Sequence, residues 1–250
     1  MDIITVSGVK YRRTQKTKFA KGCVVIKNLI LVFIALFLCV EQGPLGDERS
    51  RWGIASGNPF VKEVVLTFDD GPRDRGMPEL LAALSSLDVK GTFFLVGKFA
   101  ERYAETTLLI SRAGHEIENH SYTHPKLYEL WTEKIMREAE RCNEVMEALD
   151  IRTPRFLRPP GGGFNLKIFY GLRRMNMKLG LWSVNSADYT GKSAERIVAD
   201  VTRSVRPGAI ILMHSGVPAT VEALPKIVGA LRAQGYRFVT LQELWDGGII

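Results

Sequence analysis

From about residue 61 onward, short apolar runs of strand length alternate with stretches of helical periodicity, and this alternation constrains the fold more than any other feature of the 250-residue chain. The runs fall at 64–68, 92–96, 116–118, 155–157, 179–184, 209–213 and 238–241. Between them the clearest helix spans 132–149, where Ile135, Ala139, Cys142, Met146 and Leu149 share one face. Parallel strands need a crossover of a dozen or so residues, usually a helix. About seven strands separated by helices therefore predict an α/β fold built on a mainly parallel sheet or barrel. There is no internal repeat and no low-complexity tract.

The segment ahead of this pattern is of a different kind. Residues 1–22 form a basic tail, 23–40 an apolar stretch, and 41–60 a Gly- and Pro-containing linker to a catalytic domain at 61–246. Basic residues followed by an uncharged apolar run are the order of a secretory targeting segment. The run is read as an uncleaved signal anchor with a cytoplasmic N-terminus, which places the domain outside the cytoplasm. Cleavage would make the domain a secreted one. Of the net charge of +7, residues 1–27 carry seven Lys/Arg against one acid, leaving 27 Lys/Arg against 26 Asp/Glu in the remainder. A nearly neutral domain without a basic, aromatic-interleaved stripe excludes a nucleic-acid partner, and no protein partner is predicted. Only one of the three cysteines, Cys142, lies in the domain, so no disulfide can form within it, and its helical setting predicts an inert core thiol.

The residues with chemistry gather where the strands end. Asp69 and Asp70 follow the first run directly in TFDDGP, and the Gly71-Pro72 turn would leave both carboxylates at the rim. Alone, such a turn is commonly a solvated loop. HSYTHP, after the third run, sets His120 and His124 four apart, so that one helical turn would aim both imidazoles at one metal ion. A paired surface face is the simpler alternative. Two His and one carboxylate would complete a ligand set with positions left for water and substrate, suited to zinc or another divalent transition metal. His214 closes the sixth run in LMHSG. Three of the chain's four histidines thus stand just beyond strands, while His115 begins its run at the opposite end and is read as structural or exposed.

These motifs resemble the polysaccharide deacetylases that share the nodulation-deacetylase homology domain. TFDDGP, HSYTHP, RPPGG, the Asp188-Tyr189 pair and LMH occur in that family's order over roughly residues 61–246. The resemblance implies a distorted (β/α) barrel with its site at the C-terminal ends of the strands. It implies Asp69 as general base, Asp70, His120 and His124 as ligands of a metal, and His214 as general acid. Arg158 matches the arginine that holds the base, and Asp188 the acid that pairs with the catalytic histidine. Gly161 matches the backbone N–H that faces the oxyanion, and Tyr189 and Leu212 the residues lining the acetyl pocket. The activity implied is N-deacetylation of a polysaccharide, with peptidoglycan N-acetylglucosamine first on grounds of access. Zinc is the first choice of metal, with cobalt, nickel or manganese as substitutes. An O-acetyl ester hydrolase or a non-catalytic carbohydrate-binding homologue are the alternatives. The chain departs from the family in carrying Gly161 where an aromatic residue is frequent, Asn185 in place of an acid, and Tyr189 in place of tryptophan.

Overall fold

The structure is a computed structural model that describes residues 4–6, 9–11, 52–73 and 75–247, and the chain divides into two units, 1–46 and 47–250. In the first unit β1 (Ile4–Val6) and β2 (Val9–Tyr11) form an antiparallel hairpin with Val6 opposite Val9. The apolar stretch 23–40 lies outside the described residues, among which no helix is long and apolar enough to cross a membrane.

The second unit is a nine-stranded sheet with helices packed on it. Its strands are β3 (Gly53–Ile54), β4 (Glu63–Gly71), β5 (Thr92–Leu95), β6 (Glu116–Asn119), β7 (Phe156–Leu157), β8 (Lys178–Gly180), β9 (Val184–Asn185), β10 (Ala209–His214) and β11 (Arg237–Phe238). They run in the order β3-β8-β7-β6-β5-β4-β10-β9, with β11 beside the start of β4, and every ladder is parallel. β4 is the central strand, and Val64, Val65, Leu66 and Phe68 are wholly buried in it. Such an unbroken apolar run marks a strand covered on both faces.

The helices are α1 (Met77–Ser86), α2 (Gly97–Arg102), α3 (Ala104–Arg112), α4 (Thr132–Ala148), α5 (Leu166–Arg174), α6 (Ala194–Ser204), α7 (Pro218–Ala233) and α8 (Leu241–Gly247). α4 buries Ile135, Ala139, Cys142 and Met146, the face its periodicity predicts, with Leu149 as the C-terminal capping residue. α8 starts where the Leu241 amide donates to Thr92 Oγ1 (3.0 Å) and Glu116 Oε2 (2.8 Å) at the beginnings of β5 and β6. Its Leu244 and Trp245 join Val65, Phe94, Phe156 and Ile210 in one apolar cluster.

The sheet is curled almost into a barrel, and one link proves it. β8 and β9 stand six positions apart in the strand order yet are joined by only three residues, 181–183. On a flat sheet they would lie about 29 Å apart at about 4.8 Å per strand. Four extended steps of chain reach only about 14 Å, so the two edges must approach each other across a seam. The link is stitched to both sides, by Leu181 N to Ile54 O at 2.8 Å and Ser183 N to Ile210 O at 3.1 Å.

This closure corrects three expectations. The run at 179–184 is two strands on opposite sides of the seam rather than one. Residues 53–54, assigned to the linker, form an edge strand, and Ser56 bridges to Ala209, so the sheet begins inside that segment. Gly53 is placed so close to β8 that a Cβ would meet Leu179 O at 2.3 Å. The run at 238–241 is strand only through Phe238, because Leu241 is captured as the first residue of α8.

Candidate active site

Adjacent residues on a strand point to opposite faces, so two consecutive carboxylates can serve one site only if the strand is interrupted. β4 is interrupted there. Its pairing with β5 shifts register between Asp69 and Gly71, and Asp70 sits at φ 68°. This bulge brings both acids to the C-terminal rim, while the strand itself runs on through Gly71 instead of turning.

The next loop, 120–124, does not form the expected helical turn. Ser121 and His124 take left-handed φ values of 63° and 64°, which bend the loop back on itself. Side chains satisfy its backbone: Ser121 N donates to Asn119 Oδ1 (2.7 Å), and Tyr122 N and Thr123 N donate to Glu138 Oε2 (3.0 and 2.7 Å). Glu138 is a positioning residue that the motifs did not reveal. Its place in α4, three residues beyond buried Ile135, was the available signal.

The bend still aims both imidazoles at Asp70. His120 Nε2 lies 3.4 Å and His124 Nε2 3.1 Å from Asp70 Oδ1. The three donor atoms all fall within 4.8 Å of one another. His120 Nδ1 is 2.8 Å from the Arg158 carbonyl oxygen. A carbonyl only accepts, so Nδ1 carries a hydrogen, and in the neutral ring Nε2 turns a bare lone pair toward a carboxylate. That arrangement calls for a cation between them, and two imidazoles with one carboxylate suit a divalent transition metal. Burial opposes ionisation of Asp70, but the two facing imidazoles hold its carboxyl well below the usual carboxylate range.

Arg158 is completely buried. Its guanidinium donates to Asp69 Oδ1 (2.6 Å), Thr67 Oγ1 (2.7 Å), Gly180 O (3.1 Å) and Leu181 O (2.9 Å), and it stacks 3.9 Å above the Phe94 ring. Burial pulls its pKa down, and the Asp69 charge opposes that pull. Asp69 is thereby fixed with Oδ2 3.8 Å from His120 Nε2, one carboxylate away from the Asp70 cluster.

On the other side of β4, His214 stands in register with Asp69. Its Nδ1 donates to Asp188 Oδ1 at 2.8 Å, and its backbone N donates to Asp188 Oδ2 at 2.8 Å. Thr220 Oγ1 and Tyr189 N complete four bonds to this buried carboxylate, at 2.6 and 3.0 Å. Thr220 too went unseen in the sequence. Burial pushes Asp188 upward, but the bonds from His214 and Thr220 hold it below its ordinary value. For His214 burial works downward and is outweighed by the bond to Asp188 and by the charges of Asp188, Asp69 and Asp70, so its pKa is raised.

The remaining expected residues sit around these groups. Tyr189 is 60% exposed and meets the His214 ring edge-on at 5.0 Å. Leu212 is buried in β10 opposite Thr67. Gly161, at φ 70°, has nothing within 4 Å of where a side chain would begin, so the loop after Pro160 faces open space. Asn185 Oδ1 accepts from Ala187 N at 2.8 Å and holds the turn leading to Asp188. His115 and Cys142 stay outside the site: the His115 Nδ1 accepts from Gly91 N at 3.1 Å, and burial pushes the Cys142 thiol up to about 12.

A family model described as polysaccharide deacetylase matches residues 56–180. The chain is 35% identical to a peptidoglycan-N-acetylglucosamine deacetylase of Bacillus cereus over 214 residues, 80% of this chain and 78% of that protein. A crystal structure of a peptidoglycan N-acetylglucosamine deacetylase in complex with 4-naphthalen-1-yl-N-oxidanyl-benzamide superposes with a TM-score of 0.76 at 34% identity, covering 80% of this chain and 94% of that one. A CE4 family pseudoenzyme from Bacillus anthracis is also similar, with a TM-score of 0.75 at 32% identity over 78% of this chain and 69% of that one. The barrel is thus common to working and non-working relatives. Matched by the family model over half its length and by a peptidoglycan deacetylase over four fifths of it, the chain belongs to the polysaccharide deacetylase family and is a polysaccharide N-deacetylase.

Proposed function

We propose that the chain hydrolyses the acetamide of N-acetylglucosamine residues in peptidoglycan, outside the cytoplasm, using one divalent metal ion, zinc first, held by Asp70, His120 and His124. The observation that carries this reading is the convergence of those three donors beside an Asp69 that Arg158 holds apart from them. The similarity to peptidoglycan-N-acetylglucosamine deacetylase supports the polymer. The basic tail and apolar stretch of residues 1–40 support delivery across, and anchorage in, a membrane.

A metal bound there supplies Lewis acidity toward the acetamide carbonyl and lowers the pKa of a coordinated water. Asp69 takes a proton from the attacking water, oriented for it by the bond from Arg158. As the carbonyl carbon becomes tetrahedral, the Gly161 N–H donates to the developing oxyanion. His214, its pKa raised by the bond to Asp188, gives a proton to the nitrogen, the C–N bond breaks, and acetate and a free amine leave. Tyr189 and Leu212 line the space for the acetyl methyl group.

The test uses the full-length protein on N-acetylglucosamine oligomers and on peptidoglycan, measuring acetate and free amine together. Equal release of both, abolished by chelation, restored by zinc, and reduced about 10³-fold in Asp69→Asn, is the expected result. Acetate without amine would instead identify ester cleavage. Metal binding with no product from any glycan would identify a binding protein.

A further inference from the structure

Two loops that carry site residues continue into exposed aromatic side chains. Three residues beyond His124 the chain enters a 3₁₀ turn, Leu127–Glu129, that presents Tyr128 at 37% exposure, and Trp131 follows at 74%. Beyond Gly161 the other loop runs through Gly162 and Gly163 to Phe164, 48% exposed. The loops are fastened together. A Cβ on Gly163 would meet the Tyr128 ring at 2.5 Å, so the glycine seats the loop directly against that ring. Asn165 Nδ2 donates to Tyr128 O at 2.9 Å, and Lys167 Nζ stands 5.3 Å from the Trp131 ring centre.

Trp131 precedes α4 with no side-chain cap, a position where Ser, Thr, Asp or Asn would stabilise the helix more. Neither packing nor capping accounts for an indole there. The lysine holds the ring in place, and at 74% exposure it remains open to a ligand. A polymer substrate presents pyranose rings whose C–H faces are apolar while their hydroxyls are polar. A fixed aromatic face amid charged residues suits that chemistry. The charges around the indole are mixed, Lys126, Lys134 and Lys167 with Glu129 and Glu133, rather than the basic cluster that an anionic lipid surface selects.

We infer that Tyr128 and Trp131 form a glycan-contact surface outside the acetyl-cleaving centre, on which a neighbouring pyranose ring of the chain being deacetylated stacks. This inference rests on the reading of the substrate as a polysaccharide. The surface makes the enzyme selective for long glycans: the sugar in the site is held in part through the sugars beside it.

The experiment compares full-length wild type, Trp131→Ala and Trp131→Phe on di- and hexa-N-acetylglucosamine, and co-sedimentation of the Asp69→Asn forms with peptidoglycan. In Trp131→Ala the ratio of kcat/KM on the hexamer to that on the dimer falls about tenfold, through KM. Trp131→Phe recovers most of it, and glycan co-sedimentation weakens correspondingly. An unchanged ratio, or an equal fall on both substrates, overturns the proposal. So does loss of binding to anionic vesicles in Trp131→Ala with glycan binding intact, which would assign the surface to a membrane. Because co-sedimentation needs no turnover, failure of the deacetylation reading would show separately, as wild type that binds glycan and releases no acetate.

Discussion

The two ends of the barrel contain the same kinds of residue and use them differently. At the N-terminal end Glu116, Glu118 and His115 are buried together, and at the C-terminal rim Asp69, Asp70, Asp188 and three histidines meet. At the first end the carboxylates are satisfied within the protein. Glu118, completely buried, accepts from Arg152 (2.6 Å), Arg155 N (2.8 Å) and Phe156 N (2.6 Å), and Glu116 accepts from Thr92 Oγ1 (2.7 Å) and the first amides of α8. At the rim Asp70, His120 and His124 bring three metal-ligand atoms within 4.8 Å of one another, and the bare Nε2 of a neutral His120 faces a carboxylate. Burial and charge alone would nominate either end as the site. Ligand atoms of three side chains converging on one point single out the rim.

That contrast can be broken by mutation. Glu118→Ala removes the acceptor of two backbone N–H groups and should cost about 3 kcal/mol of stability. Its denaturant midpoint should fall while kcat per folded molecule holds, the reverse of Asp69→Asn. A matching loss of kcat would show that the lower end takes part in the reaction.

An effect of comparable size tests His115, whose pKa burial and Lys90 lower to about 4. Between pH 6.5 and about 4 the unfolded chain binds a proton that the folded chain refuses. The stabilising contribution of neutral His115 is therefore complete above pH 6.5 and declines as pH falls, by roughly 3 kcal/mol across the window. Denaturation at stepped pH should show the decline in wild type and a flatter course in His115→Gln. Parallel curves would remove His115 from the explanation.

The smallest effect belongs to the rim. Asp188→Asn should lower kcat about tenfold. It should also move the alkaline limb of the kcat profile to lower pH, because the raised pKa of His214 depends on that carboxylate. The stability signs run oppositely for the two partners. The contribution of His214 is full below pH 6.5 and lost as pH rises through its raised value; that of Asp188 is full above pH 3.8 and lost as pH falls through its lowered one. An alkaline limb that stays in place would mean that other charges set the proton affinity of His214.

Much of this was legible in the sequence, and the exceptions share a cause. β4, β10 and α4 follow from apolar runs and periodicity because burial writes itself into local pattern. The seam does not: residues 179–184 read as one strand, since extension is local and the choice of partner strand is not. β3 is two residues long and glycine-bearing, below what pattern can register. The convergence of His120 and His124 was foreseen by the wrong route, because left-handed backbone at Ser121 and His124 has no marker when neither residue is glycine. The motifs that carry the family resemblance named the acids, imidazoles and Arg158, while Glu138 and Thr220, which act through hydrogen bonds alone, belong to none of them.

Arg158 binds Gly180 O and Leu181 O in the chain that crosses the seam, and Asp69 with the same guanidinium. The closing of the barrel and the placing of the Asp69 carboxylate are consequently coupled through one side chain. A chain whose seam is open loses both carbonyl anchors of Arg158, and with them part of what fixes the Asp69 carboxylate, so the rim reports on whether the sheet has shut.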